Sequence, residues 1–117
     1  MNRHLKLALE KFNNKEFFVC HDILEDYWFE CKQDEKDLYR GLLHYAVAFH
    51  HLLDKNNPAG AKLQFTKCIE RLKNYDKPYK GIDLRKIIKY AHKNLNSLNN
   101  NRSEEIKHVK INAAKNK

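Results

Sequence analysis

Only three glycines and two prolines interrupt the 117 residues. This scarcity constrains the fold more than any other feature, because glycine and proline are what a chain uses to turn tightly or to stop a helix. Between the few breaks, apolar residues return every three or four positions, the period of one helix face. Leu5, Leu9 and Phe12 mark a first helix over Asn2 to Phe12, ended by Asn13-Asn14-Lys15. Phe17, Cys20, Leu24, Tyr27 and Cys31 mark a second over Glu16 to Lys32. A third follows the acidic stretch Asp34-Glu35-Lys36-Asp37, whose carboxylates suit a helix N-terminus, and runs to Lys55 with Leu38, Leu42, Tyr45, Phe49 and Leu52 inward. Asn57-Pro58 then supplies a cap and a first-turn proline for a fourth helix to Tyr75, with Ala61, Phe65, Cys68, Leu72 and Tyr75 inward. Pro78 and Gly81 close that unit, and Leu84, Ile87, Ile88, Ala91, Leu95 and Leu98 make the stripe of a fifth, from Ile82 to Leu98. Short links between helices of similar length imply antiparallel neighbours. The expectation is an all-α bundle over residues 1–98. A polar tail over 99–117 follows, in which Ile106, Val109 and Ala113 hint at one more amphipathic turn that frays.

No apolar run approaches the roughly 18 residues needed to span a bilayer. Met1 to Phe12 carries charges where a signal peptide would be apolar, so the expectation is a cytoplasmic protein without a membrane partner. Cys20, Cys31 and Cys68 are odd in number and lack C-x-x-C spacing, which points to reduced, mostly buried thiols.

The chemistry lies in residues 21–28, HDILEDYW. Spacings of four and three place His21, Glu25 and Trp28 in one row of the second helix. The third helix carries a second line, Gly41, His44, Ala48 and His51, whose two small residues permit a close helix approach. Because the two helices are joined by a short loop, the expectation is that this line faces the His21–Glu25–Trp28 row. Three readings follow. Glu25 accepts hydrogen bonds from His21, His51 or the Trp28 indole in a satisfied polar network. Alternatively, His21, Glu25 and His51 hold a divalent metal such as zinc with an open position for hydrolysis. His44 and His51 stand two turns apart, about 10 Å along a helix, so at most one of them serves such an ion. In the third reading Glu25 and a histidine perform acid–base chemistry under Trp28. No phosphate loop, nucleophile elbow or HExxH pair is present.

The runs FNNKEFFVCHDILEDYW from Phe12 and GLLHYAVAFHHL from Gly41, with Gly60-Ala61 beyond, resemble a small all-helical family named domain of unknown function 309, over residues 5–75. The resemblance implies that the family's polar motif falls on His21, Glu25, Trp28 and His51, with Gly41 as a close-packing point. His44 departs from it, since the family pattern favours glutamine there, and this favours the network reading. The resemblance implies a fold and a motif but no reaction, and a binding or scaffold role is the preferred expectation, with self-association open.

Charge is asymmetric. Residues 1–61 carry 8 basic against 10 acidic side chains, and residues 62–117 carry 15 against 5. Lys86, Lys89 and Lys93 share a face of the fifth helix, flanked by Arg85, and Lys67, Arg71, Lys73, Lys77 and Lys80 precede them, with Tyr75 and Tyr79 nearby. Such a surface suits weak, sequence-independent polyanion binding or plain solvation.

Overall fold

The computed structural model describes residues 3–75 and 78–112. Five helices appear where the apolar spacing predicts them: α1 (Arg3–Asn13), α2 (Phe17–Glu30), α3 (Lys36–Phe49), α4 (Pro58–Leu72) and α5 (Leu84–Asn99). The expected helix start at Asn2, and the expectations for Lys77 and Ala113, lie outside the described residues. The caps follow sequence chemistry. Asn57 accepts the Gly60 N–H at 3.0 Å with Pro58 in the first turn, and Asp83 accepts the Lys86 N–H at 3.2 Å.

Each helix packs on the next and runs back along it. The ring of Phe12, near the end of α1, meets Phe17 at the start of α2 (5.4 Å), while His4 meets Tyr27 (5.1 Å). Between α2 and α3 the pairs are Phe18 with His50 and Trp28 with Lys36; between α3 and α4, Gly41 lies by Leu72 and His51 by Gly60. At the centre, Phe12, Phe17, Tyr45, Phe49 and Phe65 form a connected ring cluster with centroids 5.2–5.9 Å apart, mostly edge to face. Cys20 and Cys68 are buried in this core as expected, and burial pushes the Cys20 thiol up to about 12; Cys31 is only half-buried.

Three local features differ from the sequence expectation. The third helix does not run unbroken to Lys55: after Phe49 the backbone widens into a π turn over His50–Asp54. The fourth stops at Leu72, and Tyr75 instead donates its hydroxyl to the Asp34 carbonyl (3.2 Å). The acidic stretch forms a 3-10 turn over Gln33–Glu35, and Glu35 faces across the chain. Glu35 accepts the Tyr79 hydroxyl and pairs with Lys80 at 3.2 Å, and the Tyr79 bond is the main cause holding its carboxyl below the usual range. Lys80 and Gly81 both take positive φ (49° and 83°) in a tight turn closed by mutual Tyr79–Ile82 backbone bonds of 2.9 Å, which aims Lys80 at Glu35. Arg71 likewise pairs with Asp37 at 3.0 Å. Part of the basic surplus is thus spent on the chain's own acidic turn.

The tail is the largest departure. Its polar composition predicts fraying, yet Ile106, His108 and Ile111 lie against the N-terminal hairpin. Ile106 is buried, and the His108 ring stands 4.8 Å from Phe12, 5.3 Å from Phe17 and 5.7 Å from Phe49, with Nε2–H donating to the Phe12 carbonyl at 2.9 Å. Asn13 clasps Ile111 twice, donating to its carbonyl (2.9 Å) and accepting its N–H (2.8 Å). The contacts are irregularly spaced and partly backbone, so helical periodicity does not reveal them. Asn13→Ala should cost about 1–2 kcal/mol, since it strands two partly buried backbone groups. It should also abolish the slow hydrogen exchange expected of the Ile111 amide, and an equally protected amide in the variant would refute the docking.

Candidate functional site

α2 presents its polar row as the spacing predicts. His21 Nε2 lies 3.6 Å from Glu25 Oε2, and His21 Nδ1 lies 3.2 Å from Asp22. The helix turned toward this row supplies residues other than those expected. Arg40 Nη1 approaches Glu25 at 4.0 Å, and its guanidinium lies 5.2 Å from the Trp28 ring centre. The Lys36 ammonium sits over the same ring at 4.7 Å and donates to the Trp28 carbonyl. Two cations on the indole face, with a carboxylate beside one of them, form a latch between α2 and α3. The Glu25 side chain is 41% exposed, so its pairing with Arg40 is worth well under the energy of a buried ion pair. The Trp28 indole Nε1 is buried without a hydrogen-bond partner among the described residues.

The line Gly41–His44–Ala48–His51 is a real face of α3, but it faces α4, not α2. A Cβ on Gly41 would stand 2.5 Å from the Leu72 side chain, so glycine is what lets the end of α4 approach. His44 Nδ1–H donates to Gln64 Oε1 at 2.7 Å. His51 packs against Gly60, whose added Cβ would fall 2.9 Å from the ring, and its Nδ1 is buried without a hydrogen-bond partner among the described residues. The reason is α3 itself: it is apolar around most of its circumference and is flanked by two helices through short links, so chain order alone does not assign its faces. The network therefore divides in two, with His21, Glu25, Trp28, Lys36 and Arg40 on one side of α3 and His44, Gln64, His51 and Gly60 on the other. Phe18 is in ring contact with both His21 (5.4 Å) and His50 (5.3 Å), and His50 Nδ1 lies 2.9 Å from Asp54.

Among the described residues no three His, Cys, Asp or Glu side chains are grouped to hold a metal ion, so His21, Glu25 and His51 do not form the three-ligand set considered from sequence. Sequence reasoning missed Lys36 and Arg40, although their spacing of four was a usable signal; it also missed Gln64, four residues after Gly60, and His108. Lys86, Lys89 and Lys93 are exposed on α5, with Lys86 6.0 Å from the Tyr90 ring. Tyr79 and Lys80 are engaged by Glu35.

Burial, the largest cause, together with the nearby positive charges of Arg40, Lys67 and Arg71, pushes His44 down to about 4 despite the Gln64 bond. A histidine with a depressed folded pKa stabilises the fold fully above its unfolded value near 6.5, and that contribution is lost as pH falls toward about 4. Chemical denaturation at pH 7.5 and pH 4.5 should therefore show a drop that shrinks by about 2 kcal/mol in His44→Gln. An unchanged drop would contradict a buried, neutral His44.

The motif's geometry being fixed in this way, comparison with known proteins adds its ancestry. Residues 5–63 match the family described as Domain of unknown function (DUF309), a span that covers α1 to α3 and the start of α4. The chain is also 33% identical over 87 residues to an uncharacterized protein of Aquifex aeolicus (strain VF5), a match covering 74% of this chain and 26% of that protein. It thus spans about a quarter of that relative's length. No helix among the described residues is long and apolar enough to cross a membrane. By its half-chain match and its relative, the chain belongs to the domain of unknown function 309 family.

Proposed function

We propose that the chain is a protein-binding module whose docking face is the outer side of α2 together with the adjoining edge of α1. The observation that carries this reading is the exposure of large apolar side chains where a helix facing only solvent would be polar. Phe29 is 69% exposed and Phe18 55%, and Val19 and Leu7 are exposed as well. Phe17, Cys20 and Leu24 already satisfy the core from the inner face of α2, so the outer residues are surplus to folding. Leu7, Ile23 and Phe29 line a groove between α1 and α2 of about 480 Å³, rimmed by His4, Asp26 and Glu30. An apolar floor with two carboxylates at its edge suits an amphipathic helical segment with basic flanks. The latch of Glu25, Trp28, Lys36 and Arg40 would serve this role by fixing how α2 is held on the bundle.

Selection from a displayed library of helical peptides should enrich sequences with apolar residues at spacings of three and four beside lysine or arginine. Binding of the selected peptides should fall at least tenfold in Leu7→Ser and Phe29→Ser, the loss expected from removing an apolar anchor. Both positions are exposed, so folding should survive. Selected peptides indifferent to both substitutions, or no enrichment, would overturn the reading.

A further inference from the structure

A second cleft, of about 290 Å³, opens between α3 and α4 and is lined by Arg40, His44, Thr66, Lys67, Glu70 and Arg71. Three of the six carry positive charge and one negative. The single carboxylate is turned aside, since Glu70 Oε2 is held by Lys73 at 3.0 Å. Arg40 is braced against the Trp28 ring with Glu25 4.0 Å away, and Arg71 is tied by Asp37 at 3.0 Å, so both guanidinium planes are held without a ligand, while Lys67 has no ion pair among the described residues. The combined field is felt inside the bundle, where all three cations disfavour the charged form of His44.

We propose that this cleft is an anion site for the phosphate group of a small, soluble phosphomonoester. Two planar guanidinium groups and an ammonium around one recess match the several oxygens of a dianion better than a single carboxylate. Held guanidinium groups also lose less rotational freedom on binding than free ones. The cleft shares Arg40 with the His21–Glu25 row, since that guanidinium lies 4.0 Å from Glu25, but it does not depend on the apolar groove of α1 and α2. It is also separate from the lysine face of α5.

The test uses inorganic phosphate and glycerol phosphate, titrated into the whole chain at pH 7.5 with chloride adjusted to constant ionic strength, and followed by amide and imidazole resonances. Saturable shifts should centre on Arg40, His44, Lys67 and Arg71, and bound phosphate should raise the His44 titration point. Lys67→Gln, at an exposed position without an ion-pair role in the described structure, should weaken phosphate binding about tenfold. The triple replacement Lys86→Gln, Lys89→Gln and Lys93→Gln should change it by less than about twofold, as expected of charges outside the cleft. Equal affinity in Lys67→Gln, or equal loss in the α5 variant, would overturn the site. Binding to phosphatidic acid vesicles but to neither soluble phosphate would overturn the proposed ligand.

Discussion

The burial of α3 is the constraint on which the rest of the structure depends. Ten of its fourteen residues are buried, so nearly every side chain it carries must be accommodated by a neighbour. A helix enclosed to this degree cannot let polar groups snorkel freely into water, and each must find a partner on whichever helix it meets. Lys36 and Arg40 find the Trp28 ring, its carbonyl and Glu25; His44 finds Gln64; Tyr45 and Phe49 join the aromatic cluster. The two glycines at opposite ends of the α3–α4 interface follow from the same enclosure. Gly41 admits Leu72, and Gly60 leaves room for His51.

This enclosure explains which parts of the molecule could be read from the sequence. The helices were legible because Asn13-Asn14, Asn57-Pro58 and Pro78 to Gly81 break chains of regular apolar spacing. The row His21–Glu25–Trp28 was legible because it is local to one helix. What faced it was not. The line Gly41–His44–Ala48–His51 has the same periodicity whether it meets the preceding or the following helix, and only three-dimensional packing decides between them. The π turn at His50–Asp54 leaves no mark in a pattern of threes and fours. The docking of Ile106, His108 and Ile111 is not legible in the sequence because it rests on an irregular segment and on Asn13, a residue whose place in the Asn13-Asn14-Lys15 break signals only a helix end.

The division of the polar residues also bears on function. With the histidines of α3 turned to α4, the row on α2 holds its helix through cations on an aromatic ring. It leaves that helix with an apolar outer face. The pair Asp37–Arg71 ties the start of α3 to the end of α4, and Glu35 ties the turn before α3 to Lys80 in the turn before α5.

The central claim, that the histidine line of α3 belongs to α4, is tested most directly by double-mutant cycles in chemical denaturation. His44→Ala combined with Gln64→Ala should show a coupling energy of about 1 kcal/mol, the size of a neutral hydrogen bond in a partly buried site. His44→Ala combined with Glu25→Ala should be additive within about 0.3–0.5 kcal/mol, as for side chains without contact. Additivity with Gln64 together with strong coupling to Glu25 would place His44 against α2 and contradict the account.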